Sequence, residues 1–213
     1  MKSLKGKAIV SLADGMADEP IAELGGRTPL EAVDTPFLDS IAKNGASGTL
    51  LTLPEGFPTS SDAANMSVLG YDLASFYPGR GPIEATSQEI PLAADDVAWR
   101  CNLVTVQDGI LKDYSAGHIP RERAEALMKA LAERFNSGKV TFHSGVSYRN
   151  LLILHGPEFS AEVDYFKPDS SQDLPVTELR LRALKPEAQH TVDFVEHLMA
   201  EAAERQALRE YAA

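Results

Sequence analysis

Two short patterns early in the chain pair a carboxylate with a hydroxyl. Asp14 ends the apolar run from Lys7 to Ala13 and is followed by Gly15. A carboxylate at the C-terminal tip of a parallel strand lies where open α/β sheets place their ligands. The glycine after it lets the chain turn tightly and approach a bound ion. An Asp-Gly pair is also an ordinary turn, so both uses stand. Ser61 lies in Thr59-Ser60-Ser61-Asp62-Ala63-Ala64-Asn65. A serine followed by an aspartate before an apolar helical run marks a helix start. Capping is the plain role for such a serine. The chemical role uses the same geometry, because a helix N-terminus offers unpaired N–H groups and the positive end of a dipole to a phosphate. A metal ion beside that hydroxyl would lower its pKa and make it a nucleophile.

Cationic side chains supply the next element. Arg80 sits between Gly79 and Gly81, where backbone and side chain can both approach a ligand. Arg100 interrupts an apolar strand beside Asn102, and arginine is rarely buried unless it is paired or functional. His118 follows Gly117, and Arg149 opens a late apolar strand after Ser147-Tyr148. Such groups suit a clamp on phosphate or carboxylate. Ordinary ion pairs with the 31 acidic residues are the competing use.

These residues need elements to carry them. Lys7 to Ala13 reads as a buried parallel strand and Thr49 to Leu53 as a second short one. Thr35-Pro36 opens a helix with Phe37, Leu38 and Ile41 on one face. Ser61 to Leu69 is helical, stopped by Gly70. The stretch from Tyr71 to Ala85 is rich in glycine, proline and tyrosine and reads as a domain boundary. Beyond it, Val97 to Val106 and Ile110 to Asp113 form a hairpin across Gln107-Asp108-Gly109. Arg121 to Phe135 is an amphipathic helix, Lys139 to His143 and Tyr148 to His155 are strands, and Glu187 to Arg209 is a long helix. The expected organisation is residues 1–82 as a first α/β portion, 83–183 as an α+β unit, and 184–213 as a C-terminal helix.

Composition narrows the class. Of 213 residues, 44% are hydrophobic and 24% charged, which suits a globular chain with a sizeable core. The net charge of -11 repels a nucleic-acid backbone and an anionic membrane, but leaves room for a small phosphorylated substrate held by local arginines. The single cysteine, Cys101, excludes a disulfide framework and points to a reducing, cytoplasmic setting. Its apolar surroundings read as those of a buried strand thiol. No segment fits a signal peptide or is long enough to span a bilayer. No Gly-x-Gly-x-x-Gly follows the first strand, which disfavours a dinucleotide-binding fold.

The patterns are more specific together than singly. Asp14-Gly15-Met16-Ala17-Asp18, Gly26-Arg27-Thr28-Pro29-Leu30, Thr35-Pro36-Phe37-Leu38-Asp39, Ser61-Asp62-Ala63-Ala64, Leu69-Gly70-Tyr71-Asp72, Tyr77 to Ala85 and Arg100-Cys101-Asn102-Leu103 occur in this order. The sequence from about Lys7 to about Leu154 resembles the archaeal-type, 2,3-bisphosphoglycerate-independent phosphoglycerate mutases of the alkaline phosphatase superfamily. The resemblance implies a partial alkaline-phosphatase-like sheet with an inserted α+β substrate domain. It implies interconversion of 3-phosphoglycerate and 2-phosphoglycerate through a phosphoserine, with Ser61 the nucleophile. It also implies two divalent metals (manganese, magnesium or zinc), with Asp14 and Ser61 as ligands. Arg80, Arg100, Asn102, His118 and Arg149 would face the substrate.

Two departures accompany the resemblance. The family's chains are far longer, and their remaining Asp and His ligands come from a C-terminal half. Asp193 and His197 share a helix face at i, i+4 but lack the loop and glycine context of such ligands, and read as surface residues. The sequence is therefore also consistent with a truncated or split half that needs a partner chain, or that dimerises through an unfinished sheet edge. Asp113 to Ile119 and Gly145 to Arg149 look closer to a bacterial branch proposed to act as a homoserine kinase, which makes homoserine an alternative substrate.

Overall fold

The computed structural model describes residues 6–13 and 15–204, so Asp14 and the expected end of the last helix at Arg209 lie outside the described residues. The fold is mixed α/β, as the sequence implies. Its contacts divide the chain into two compact units, Met1–Pro54 and Glu55–Ala213. The expected boundary after residue 82 falls inside a helix, Arg80–Ser87.

The first unit has little regular structure. Helix α1 (Pro29–Ala32) starts with a capping box: Thr28 accepts from the Glu31 N–H, and the Glu31 carboxylate accepts from the Thr28 N–H. Helix α2 (Pro36–Asn44) begins after Thr35 with proline in its first turn, as read from sequence. The expected strands Lys7–Ala13 and Thr49–Leu53 are not formed in the described residues. A strand exists only when a neighbour takes its N–H and C=O groups, and none of the described strands belongs to this unit. Its apolar side chains are correspondingly open: Ile9 is 91% exposed, Phe37 85% and Leu51 77%.

The second unit holds the core. Helix α3 (Ser61–Val68) ends at Gly70, whose φ of 86° continues the chain into α4 (Leu73–Phe76). Helix α5 (Arg80–Ser87) then leads to β1 (Val97–Asn102). A hairpin follows, β2 (Thr105–Gln107) and β3 (Ile110–Asp113). Asp108 and Gly109 both have positive φ at its turn, which the right-handed twist of a hairpin favours. The expected hairpin from Val97 is therefore shorter than read, because β1 pairs elsewhere.

Helix α6 (Arg121–Phe135) matches the sequence reading and packs on β4 (Val140–Val146). Strand β5 (Arg149–Leu154) lies at the centre of an antiparallel sheet ordered β1-β5-β4. Its register sets Val97 against Leu154, Arg100 against Leu151 and Asn102 against Arg149. Side chains alternate across a strand. Val97, Trp99 and Cys101 thus turn to one face, where Leu152, Leu154, Phe159 and the Val195 and Leu198 side chains of α7 (Gln189–Glu204) make the main core. Cys101 is partly buried against this core, and burial pushes its thiol up to about 12. A small pair, β6 (Val163–Asp164) and β7 (Arg182–Ala183), completes the strands described. Asp193 and His197 are exposed on α7. No helix among the described residues is long and apolar enough to cross a membrane.

Two close approaches fix the frame of the opposite face. A Cβ built on Gly81 would meet the Ala98 carbonyl oxygen at 1.9 Å, so α5 lies directly on the β1 backbone. At the β4–β5 turn, a Cβ on Gly145 would meet the Arg149 carbonyl oxygen at 2.1 Å. There the buried Asn150 side chain accepts from the Gly145 N–H and donates to the Tyr148 carbonyl, at 3.0 Å each.

Gly81→Ala should lower stability despite alanine's helix preference of about 1 kcal/mol. The clash is with backbone, which no rotamer change relieves, and overpacking of this kind costs about 1–3 kcal/mol. Chemical denaturation of the two proteins checks this; an unchanged or higher midpoint for the alanine variant would show that α5 lifts off β1 freely.

Candidate active site

Ser61 is the first residue of α3, with Ser60 at the N-cap. Ser60 does not cap with its side chain, and Ala64 is the first helix residue whose N–H reaches back, to the Ser60 carbonyl. The Ser60 side chain thus takes up none of the first-turn N–H groups, and Ser61 itself is exposed. Asp62, its neighbour, is turned inward with a side chain only 10% exposed. Tyr77 Oη, in the loop after α4, donates to Asp62 Oδ2 at 2.6 Å, and Arg80 Nη1 lies 4.0 Å from Asp62 Oδ1. Burial alone would raise the Asp62 carboxyl. The Tyr77 hydrogen bond, the nearby Ser60 hydroxyl, its own N–H and the Arg80 charge outweigh it, and the net shift is downward. Burial and the same carboxylate push the Tyr77 phenol up to about 12.

Arg80 begins α5, entered through Gly79 at a φ of 90°. One turn later stands Glu84, whose Oε1 accepts from Arg80 Nε at 3.1 Å. The same oxygen lies 3.2 Å from Arg100 Nε on β1, close enough for an ion pair but out of line for a hydrogen bond. Arg100 is half-buried, and its pKa is lowered first by burial; Glu84 opposes this, while Arg80 and Arg149 repel it. Arg100 thus lies within electrostatic reach of both Arg80 and Arg149. Asn102 and Arg149 are opposite each other in the β1–β5 register, and Arg149 stacks over the Tyr148 ring with Cζ 4.9 Å from its centroid.

His118 belongs to a separate tight loop. The Asp113 carboxylate accepts from the Ser115 and Gly117 N–H groups and from the Ser115 hydroxyl. This holds His118 at a φ of 53°. The loop is tied to the β4–β5 turn by Ser147 Oγ donating to the Ile119 carbonyl at 2.8 Å and by the edge-to-face pair Tyr114–Tyr148. The structure thus gathers Arg80, Arg100 and Arg149, sets Asn102 opposite Arg149, and leaves His118 on the loop beside that turn. Among the described residues, three buried side-chain polar atoms lack a hydrogen-bond partner: Ser60 Oγ, Asp62 Oδ1 and Arg100 Nε. They flank Ser61 and the arginine cluster.

Sequence reading named the cations and missed the acids that hold them. Glu84 stands at i+4 from Arg80, a pairing visible in the spacing. Asp62 reads as a helix-start residue, and nothing in the sequence marks Tyr77 as its partner, 15 positions away.

Comparison with known proteins places this arrangement. A cofactor-independent phosphoglycerate mutase from Thermoplasma acidophilum superposes with a TM-score of 0.54 at 30% identity, over 92% of this chain and 52% of that one. The fold is therefore that of a cofactor-independent phosphoglycerate mutase, in part. The sequence profile of 2,3-bisphosphoglycerate-independent phosphoglycerate mutase matches residues 42–210. A phosphoglycerate mutase of that description from Methanosarcina acetivorans is 52% identical over 162 residues, 76% of this chain and 41% of the relative. Another, from Methanothermobacter thermautotrophicus, is 33% identical over 202 residues, 93% of this chain and 49% of the relative. The chain belongs to the 2,3-bisphosphoglycerate-independent phosphoglycerate mutase family, and it spans about half or less of the length of these relatives.

Replacing Asp62 with asparagine should bring the Tyr77 phenol part of the way from about 12 back toward 10, since one cause of its shift is removed and burial remains. In the native protein the folded phenol titrates above the unfolded one. Stability is therefore lost as pH rises from about 10 to about 12, where only the unfolded chain releases this proton. Ultraviolet titration of tyrosine in both proteins checks the shift; an identical Tyr77 transition would show that Asp62 does not act on it.

Proposed function

We propose that this chain carries the phosphoryl-accepting part of a phosphoglycerate mutase site, with Ser61 the nucleophile and phosphoglycerate the phosphorylated small-molecule substrate. The observation that carries the reading is that two buried side-chain oxygens without a hydrogen-bond partner, Ser60 Oγ and Asp62 Oδ1, flank Ser61 at the start of its helix. Buried polar groups are nearly always paired in folded proteins, and exceptions call for an explanation such as a catalytic role, a bound ion or an ordered water. The family supplies the reaction; the described residues suggest how it is served.

Ser61 Oγ attacks the phosphorus of the substrate. The Oγ–P bond forms as the bond from phosphorus to the substrate oxygen breaks, and the hydroxyl proton passes to that leaving oxygen. The glycerate then presents its other hydroxyl, whose oxygen takes the phosphoryl group back while its proton returns to Ser61. The positive N-terminal end of α3 at Ser61 receives the phosphoryl oxygens. Arg80, Arg100 and Arg149 offset substrate charge, with Asn102 and His118 as further polar contacts. A net charge of -11 does not oppose this, because charge farther than a Debye length, on the order of 8 Å at physiological salt, is largely screened.

The family resemblance adds two divalent metals, with Asp14 and Ser61 as ligands. The described residues contain no group of three or more His, Cys, Asp or Glu side chains that could hold a metal, and so do not form such a shell. The same reading places the protein in the cytoplasm. Nothing in the site favours homoserine over phosphoglycerate.

The polypeptide of these 213 residues alone should convert 3-phosphoglycerate to 2-phosphoglycerate with little or no turnover, even with manganese. Co-expression with the remaining length of the Methanosarcina acetivorans relative should yield manganese-dependent conversion that Ser61→Ala abolishes. A folded, metal-loaded complex without turnover, or one in which Ser61→Ala stays active, would sink the proposal. Robust turnover by the lone chain would show that it completes its own site.

A further inference from the structure

Glu84 has no role in the reaction just described, yet it is the point where the cationic cluster is joined. One oxygen, Oε1, meets the Nε of Arg80 at 3.1 Å and the Nε of Arg100 at 3.2 Å. Both guanidinium groups are thus approached along their Nε edges. Their Nη ends make no hydrogen bond among the described residues; the nearest acid is Asp62, 4.0 Å from Arg80 Nη1. An end-on pair of Nη groups matches two oxygens of a phosphate or carboxylate.

Left to themselves the two arginines would not stay together. They repel each other, Arg149 repels Arg100 as well, and Arg80 is 43% exposed on a flexible stem. Glu84, 24% exposed and fixed on α5 by the Gly81 contact with β1, opposes that repulsion from a rigid base.

We propose that Glu84 is a positioning residue that grips Arg80 and Arg100 by their Nε edges and presents their Nη ends as a paired clamp for a phosphate group beside the Ser61 helix. The clamp rests on the phosphoryl-transfer reading of the site, but it makes a prediction of opposite sign to simple charge counting. Removing a carboxylate from an anion site raises its positive potential and should tighten anion binding. Removing a positioning carboxylate should loosen it.

The test titrates 3-phosphoglycerate, and separately inorganic phosphate, into the full chain by calorimetry. The Nε–Hε signals of Arg80 and Arg100 are followed by nuclear magnetic resonance. Glu84→Gln should weaken binding about tenfold, the scale of one lost charge-assisted contact. It should also collapse the two arginine signals toward their solvent-averaged positions, with the thermal midpoint little changed. Glu84→Asp, which keeps the charge on a shorter stem, should recover part of both. Wild-type binding with Glu84→Gln equal or tighter would overturn the clamp and leave the phosphoryl-transfer reading standing. Ordered arginine signals with no wild-type binding of either probe would overturn both.

Discussion

The site depends on one contact, the seating of Gly81 against the Ala98 carbonyl. Because nothing separates α5 from β1 there, the next turn of the helix brings Glu84 over Arg100. Arg80 then follows from helical spacing, four residues before Glu84. Arg100 loses solvation at its place in the sheet, and that loss is the first cause of its lowered pKa. The opposing attraction is of comparable scale: unit charges about 4 Å apart attract by about 4 kcal/mol at an effective dielectric of 20, before desolvation is subtracted. A displacement of α5 by the width of one methyl group would weaken that attraction while leaving Arg100 partly buried. The glycines around Arg80 thus serve the packing of a helix on a strand and the entry to that helix, whereas the sequence suggested that they let the backbone approach a ligand.

What was legible in the sequence followed from local rules. Caps, periodicity and terminators located α2, α3 and α6, and Asp108-Gly109 announced its turn. Arg100 stood out as a charge in an apolar strand. What was not legible depended on partners distant in the chain. Lys7 to Ala13 has a strand's composition, but strand formation is a property of a pair. Val97 to Val106 looked like one arm of a hairpin because the nearest turn signal followed it; in the fold its first part pairs with β5, some fifty residues on, and only its last part joins the hairpin. The Glu84–Arg80 contact is readable at i+4, while the Glu84–Arg100 contact exists only after α5 has docked.

The two units illustrate different sources of order. In Glu55–Ala213 a central strand with Leu151, Ile153 and Leu154 fully buried anchors everything else, and truncating such side chains costs about 2–5 kcal/mol each. In Met1–Pro54 no residue described is buried, and the side-chain bonds that hold its helix starts are local: the Thr28–Glu31 capping box and the Thr35 hydroxyl donating to the Asp39 carboxylate. Caps contribute about 0.5–2 kcal/mol each, and helices as short as α1 and α2 are not stable on local terms alone. Ile9, Phe37 and Leu51 accordingly contribute no burial to this unit's order.

The same contrast bears on chemistry. The nucleophilic role proposed for Ser61 calls for a rigid base and an open face, and α3 gives the residue both. Its inner side is anchored by fully buried Ala63 and by the Tyr77–Asp62 hydrogen bond, while Ser61 itself points into solvent at the helix start. Asp62 is held ionised by Tyr77, the nearby Ser60 hydroxyl, its own N–H and Arg80 acting together against burial. The Asp62 oxygen that accepts no hydrogen bond lies 4.0 Å from Arg80 Nη1, so the carboxylate ties α3 to the first turn of α5 by charge as well as through Tyr77.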